Sequence, residues 1–371
     1  MTERSEMRIV ERSRVRAGLL YRVERRALHT LVGLPPRLAG RLAGAAPPPG
    51  DGGVLDPTIR LILALQRARG LAGLTSVNPE LTRVRMRQQV ALAAGRPTRV
   101  ATVHPVQIPG PEGPLTARHY VPLESGGPHP LLVFFHGGGF VAGSVDSHDE
   151  PCRILCRYGG VHVLSVSYRL APEHPFPAGV EDAYAAAQWA MRHAGRLGAD
   201  PERVGIGGDS AGGNLATVAC LLAVRREAAR PAAQVLLYPP TDYMTAWPSR
   251  EAFAQDLLLT GRDIEFCYRH YAPDADADDE RHSPLRSTDL VGMPPAMIVT
   301  AAFDPLRDEG EAYADALRKA GNRVVDWRVP GMVHGFFNLT ALSRTARDAA
   351  IGVAGAVRAL LTVSGPAGTA P

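Results

Sequence analysis

After Gly95 the chain settles into a repeating order, in which a short apolar run is followed by a stretch of helical periodicity and then by another apolar run. The runs read "PLLVFFHGG", "GVHVLSVSYRL", "RVGIGGD", "AQVLLYPP", "PAMIVTAAFD" and "NRVVDWRVPG". Helical stretches over 178–196, 211–227, 308–320 and 344–361 separate most of them. Strands with so little polar alternation must be buried on both faces. Their alternation with helices therefore predicts an α/β fold, with a mainly parallel sheet covered by helices on both sides. "VATVHPVQIP" and "LTARHYVP" add two earlier strands.

Two regions break the rhythm. Helical patterns begin at "LDPTIRLILALQRARG" and "NPELTRVRMRQQVALAAG", each led by a residue-Pro start. Residues 241–290 are long, contain "AWPSREAFAQDLLL" and end in a charged loop, as an insertion above the sheet would. The expected organisation is a basic arm and linker over 1–50, roof helices over 51–95, core over 96–240, a roof insertion over 241–290, the second part of the core over 291–364, and a flexible tail over 365–371.

Charge is concentrated at one end. Ten arginines face four glutamates between Met1 and Ala46, which more than accounts for the formal net charge of +4. The rest of the chain is slightly acidic, so nucleic-acid binding by the body is not indicated. In the arm, Leu20, Val23, Ala27 and Leu31 recur at helical spacing between arginines. Such a helix suits weak contact with an anionic membrane surface. The competing reading is an arm docked on its own protein or on a second subunit in a homodimer. Cys152, Cys156, Cys220 and Cys267 are too few for a disulfide framework, and read as helix-buried thiols. No apolar run reaches membrane-spanning length and no signal-peptide core follows the early arginines, so a cytoplasmic protein is expected.

"VGIGGDSAGGN" ends an apolar strand with a crowd of glycines where a helix must begin. Glycine weakens a helix start, so another requirement must be at work. Gly208-Asp209-Ser210-Ala211-Gly212 has the G-x-S-x-G form of a strand-to-helix turn. In such a turn the serine is held in strained geometry with its hydroxyl exposed, and small residues relieve crowding on either side. The alternative is a glycine turn that only packs strand on helix; the apolar run before the motif and the helical pattern after it favour the first reading.

"FFHGGGFVAG" also follows a buried strand and offers consecutive amides free of side chains. Gly138 and Gly139, joined by Ala211 at the first turn of the helix after Ser210, are the expected oxyanion donors. Gly137-x-Gly139-x-x-Ala142 also fits a dinucleotide fingerprint. That motif needs a helix directly after the glycines and an acid closing the next strand, where this chain has Arg169.

A serine hydroxyl needs a base, and the base needs an orienting acid. Asp304 stands just past the run "PAMIVTAAF", with Asp308, Asp242 and Asp326 as weaker rivals. His334 follows "VPGMV", in a loop expected after a Pro-Gly turn that ends the last strand. The order Ser210, Asp304, His334 is that of the α/β-hydrolase fold.

With these motifs in place, the chain resembles the hormone-sensitive-lipase-like family of α/β-hydrolase carboxylesterases, in its bacterial GDSAG-type branch. The resemblance rests on "HGGGF", "SYRLAPEHPFPA", "GDSAGGN", "DPLRDEG" and "HGF", and covers roughly residues 55–361. It implies Ser210 as nucleophile, His334 as base, Asp304 as its orienter, and an oxyanion hole from Gly138, Gly139 and Ala211. It further implies a helical cap, and short- to medium-chain esters as substrates, hydrolysed without cofactor or metal. The arm before Gly50 is longer than the family's usual start, so its role is not inherited. Phe140, Trp247, Phe253 and Leu257 are candidate walls of an acyl pocket, or else interior packing of the roof. Rival functions are an amidase or transacylase on the same triad, and a non-catalytic small-molecule binding module.

Overall fold

The computed structural model describes residues 21–44, 53–71, 73–124, 127–276 and 278–363. The first twenty residues, most of the expected linker and the expected tail lie outside the described residues. Eight strands form one sheet: β1 (Thr102–Gly110), β2 (Gly113–Val121), β3 (His129–Phe135), β4 (His162–Val166), β5 (Ala199–Asp209), β6 (Ala233–Leu237), β7 (Ala296–Phe303) and β8 (Val324–Val333). Their order in space is β1-β2-β4-β3-β5-β6-β7-β8. β1 and β2 are an antiparallel hairpin and β2 runs antiparallel to β4, while every other neighbouring pair is parallel.

The helices are α1 (21–32), α2 (Pro36–Leu42), α3 (Pro57–Ala68), α4 (Pro79–Ala93), α5 (Asp149–Gly159), α6 (Ala178–His193), α7 (Ala211–Arg225), α8 (Pro248–Ala252), α9 (Gly261–Tyr271), α10 (Arg307–Lys319) and α11 (Arg344–Val363). One face of the sheet packs α5 and α11 around Ile154 and Val353, and the other packs α6, α7 and α10 around Ala183, Leu215 and Tyr313. Burial on both faces explains why β3 and β7 read as unbroken apolar runs. All eight residues of β7 are buried. Among the described residues no helix is long and apolar enough to cross a membrane.

From β3 the chain steps to β4 on one side and then returns to β5 on the other. The loops leaving the carboxyl ends of β3 and β5 therefore open on either side of a switch in strand order, the place where an α/β sheet offers a crevice. Both glycine motifs of the sequence lie on those two loops.

Two local expectations need correction. Pro330-Gly331 does not end the last strand: β8 passes through it to Val333, and its register with β7 shifts between Ala301 and Phe303. Gly331 takes a left-handed φ of +71°, so the irregularity is absorbed inside the strand. In α1 the expected stripe is not the inward face. Val23 and Ala27 are exposed, whereas Leu28, Leu31 and Val32 turn inward, and Leu20 lies outside the described residues.

Candidate active site

β5 ends at Asp209 and α7 begins at Ala211, so Ser210 alone makes the corner. Its φ of 54° and ψ of −125° are strained for a residue with a side chain. The corner is held by Ser210 N–H donating to Leu237 O at 2.8 Å and by Ser210 O accepting from Gly213 and Asn214. A Cβ on Gly212 would collide with the carbonyl oxygen of Phe135, at the end of β3. That contact is why the turn tolerates no side chain there.

His334 Nε2 lies 2.9 Å from Ser210 Oγ, and His334 Nδ1 lies 2.8 Å from Asp304 Oδ2. Asp304 is fully buried, and its Oδ1 accepts the amide of Leu306. With a carboxylate on Nδ1, that nitrogen carries the proton and Nε2 is left to face the hydroxyl. Tyr238 packs its ring against the imidazole, with centroids 4.8 Å apart. The rival carboxylates are engaged elsewhere. Asp308 accepts from Ser249 N, Asp242 from Thr245 and Met244, and Asp326 pairs with Arg318.

The 136–143 loop reaches the same corner. Gly138 has φ +132°, and a Cβ on it would meet the carbonyl of Ala142. The chain turns through bends before α5 begins at Asp149, so no helix follows the glycines as a dinucleotide site requires. The amides of Gly138, Gly139 and Ala211 meet no acceptor among the described residues, and all three residues line the chamber that holds Ser210 and His334. Three unpaired donors beside an exposed hydroxyl, one at a helix N-terminus, can hold an oxygen that becomes negative.

A family model described as the α/β-hydrolase fold matches residues 132–338, more than half of the chain. The chain belongs to the α/β-hydrolase family. This α/β-hydrolase is 49% identical over 304 residues to the carboxylic ester hydrolase LipN of Mycobacterium tuberculosis, a match covering 79% of each chain. It is 35% identical to an ethyl acetate hydrolase of Pseudomonas putida, over 82% of this chain and 98% of that one. Among solved structures, an ester hydrolase from the metagenome of Lake Arreo matches with 40% identity and a TM-score of 0.78, covering 82% of this chain and 99% of its own. An esterase of Pyrobaculum calidifontis matches with 37% identity and a TM-score of 0.76, covering 82% and 98%.

The chamber of this hydrolase has a volume of about 490 Å³. Its floor is the corner just described, and its walls come from α3, α4, the segment before α9, and α9 itself. Of the four expected pocket residues only Phe140 lines it, stacked on Tyr271 with centroids 3.7 Å apart. Trp247, Phe253 and Leu257 do not. Ser249, in α8, donates its hydroxyl to Pro305 O and its amide to Asp308, which draws this stretch behind the Asp304 loop. There Phe253 packs on Phe303 and Leu257 joins the core, and Leu258, Leu259 and Ile264 face the chamber instead.

Sequence reasoning also missed a second buried polar cluster behind the floor. Asp209 Oδ1 accepts the amide of Gly137 at 2.8 Å and lies 3.1 Å from His148 Nε2. Burial pushes its pKa up, but His148 and the Gly137 amide outweigh this and hold the carboxyl below its ordinary value. His148 Nδ1 lies 2.9 Å from Ser147 Oγ. His136, fully buried, is lowered to about 4 by burial and by its neighbour His148. Asp209 is thus an anchor for the glycine loop. The one signal for it in the sequence was its place beside Ser210.

The roof is fastened by another carboxylate. Asp263 accepts from Leu74 N, Thr75 N and Thr75 Oγ1, and shares a capping box with Thr260. It joins the 73–75 loop to α9.

Proposed function

We propose that the protein is a serine carboxylic ester hydrolase working through an acyl-enzyme. Ser210 Oγ attacks the acyl carbon as His334 Nε2 takes its proton, and the new oxyanion rests on the amides of Gly138, Gly139 and Ala211. His334 returns the proton to the departing alcohol. Water then gives a proton to His334 and attacks the acyl carbon; the bond from that carbon to Ser210 Oγ breaks, His334 passes the proton to Oγ, and the acid leaves. Asp304 holds the imidazole and balances its charge.

The observation that carries this reading is the run Ser210–His334–Asp304, at 2.9 and 2.8 Å, beside three unpaired amides. Similarity to ester hydrolases along most of the chain supports the leaving group. A chamber of about 490 Å³ with mainly apolar walls favours short- to medium-chain esters over long triglycerides. The four free cysteines suit a reducing compartment, the cytoplasm. The test is hydrolysis of p-nitrophenyl butyrate by wild type and Ser210→Ala. A loss of about 10⁴–10⁶-fold in kcat is expected. Equal rates in the two proteins would rule out Ser210 as nucleophile.

A further inference from the structure

Helix α1 belongs neither to the layers around the sheet nor to the paired roof helices, yet it reaches the chamber. The two esterase structures compared above match over 98–99% of their own length but only 82% of this chain, so this chain carries segments they lack. Leu28 lines the chamber together with Ile62, Leu65, Ala93, Leu339 and Leu342. Leu28, Ile62, Ala93, Leu339 and Leu342 also belong to one apolar cluster, and Leu339 and Leu342 lie on the segment that leaves His334. Within α1, Ala27 and Thr30 are exposed, while Leu28 and His29 are half-buried. α1 therefore stands between the chamber and solvent at Leu28, as a wall.

That wall is held by backbone-directed bonds. Arg25 donates from Nε and Nη2 to Ala94 O, at 3.2 and 2.7 Å, and His29 Nε2 lies 3.2 Å from Leu92 O. These carbonyls close the C-terminal end of α4, whose own last turn has no basic residue. α1 supplies the missing cation. Glu24 pairs with Arg69 of the segment after α3, and Val32 is buried. Arg25 and His29 flank Leu28, so its side chain has a fixed place.

We propose that α1 is a specificity element, and that Leu28 closes one end of the active-site chamber and limits the length of the ester's aliphatic chain. The inference rests on the ester-hydrolase reading above. The test compares wild type, Leu28→Trp and Leu28→Ala on p-nitrophenyl esters from acetate to dodecanoate, and on alkyl acetates from ethyl to octyl. The two series tell the acyl side from the alcohol side. In one series, Leu28→Trp should lower the long-to-short ratio of kcat/KM by about tenfold or more, and Leu28→Ala should raise it, since a single methylene in an apolar pocket is worth about tenfold or more. Wild-type ratios for both variants in both series would overturn the proposal. If wild type hydrolyses no ester, the ester-hydrolase reading fails by itself. Calorimetry with decanoate on the same three proteins then decides: weaker binding to Leu28→Trp and tighter binding to Leu28→Ala sustain the wall, and equal binding removes it.

Discussion

Two imidazole–carboxylate pairs flank the corner at Ser210, and they are put to different use. His334 and Asp304 are buried, 2.8 Å apart, and the free nitrogen of His334 faces a hydroxyl that projects into the chamber. His148 and Asp209 are also buried, 3.1 Å apart, and a serine again stands at the far nitrogen. That serine, Ser147, gives its proton to Ser144 O at 2.8 Å and accepts the Ser144 amide, so its hydroxyl is already engaged. Asp209 in turn holds the Gly137 amide. The groups are alike, and the backbone decides what they do. A strained corner presents Ser210 to the chamber, while a relaxed turn folds Ser147 back on itself. One pair can move a proton and the other fixes a loop.

Substitutions at the two pairs should separate these roles. The largest effect is expected for His334→Ala, about 10⁶-fold in kcat on p-nitrophenyl butyrate with far-ultraviolet circular dichroism unchanged. Asp304→Asn should cost about 10⁴-fold in kcat with a smaller change in KM, because the imidazole loses its orienting partner and its tautomer. Asp209→Asn should lower kcat less, by about 10²-fold, the lower end of the loss of one oxyanion donor. It should also destabilise the fold by about 1–3 kcal/mol in urea titration, since the buried hydrogen bonds of His148 and Gly137 lose a charged partner. If Asp209→Asn costs as much in kcat as Asp304→Asn, the distinction between the pairs fails.

The smallest effect is one of pH. Burial lowers His136, His119 and His162 from 6.5 to about 4, with further lowering from nearby histidines. His119 and His162 share a hydrogen bond of 2.9 Å across β2 and β4, which requires at least one neutral ring. Below pH 6.5 the unfolded chain binds protons that the folded chain refuses. The stability these rings contribute is full above pH 6.5 and is lost as pH falls toward about 4. Asp209 contributes above 3.8, and its share is lost only at lower pH. Melting temperature should therefore fall between pH 6.5 and 4, and a flat profile would mean the rings are not held neutral.

The sheet and the triad were legible because each rests on local pattern. Apolar runs mark strands covered on both faces, and Ser210 and Asp304 stand just past two of them, β5 and β7, whereas His334 stands past β8, an edge strand buried only toward its end. The glycines announced the corner because a backbone collision with Phe135 leaves no alternative. What stayed hidden depends on contacts distant in sequence. Nothing in the sequence around His148 joins it to Asp209, sixty-one residues on. The placing of Trp247, Phe253 and Leu257 depends on Ser249 binding a loop more than fifty residues away. In α1, helical spacing marked Val23 and Ala27, but Arg25 and His29 bind the end of α4 and turn the Leu28 side inward.

The most direct test labels the reactive serine. The intact protein is treated with a p-nitrophenyl alkylphosphonate, digested, and mapped by mass spectrometry. A single adduct on Ser210, absent from Ser210→Ala and strongly slowed in His334→Ala, is expected. An adduct on Ser147, or none on any serine, would contradict the assignment of the two pairs.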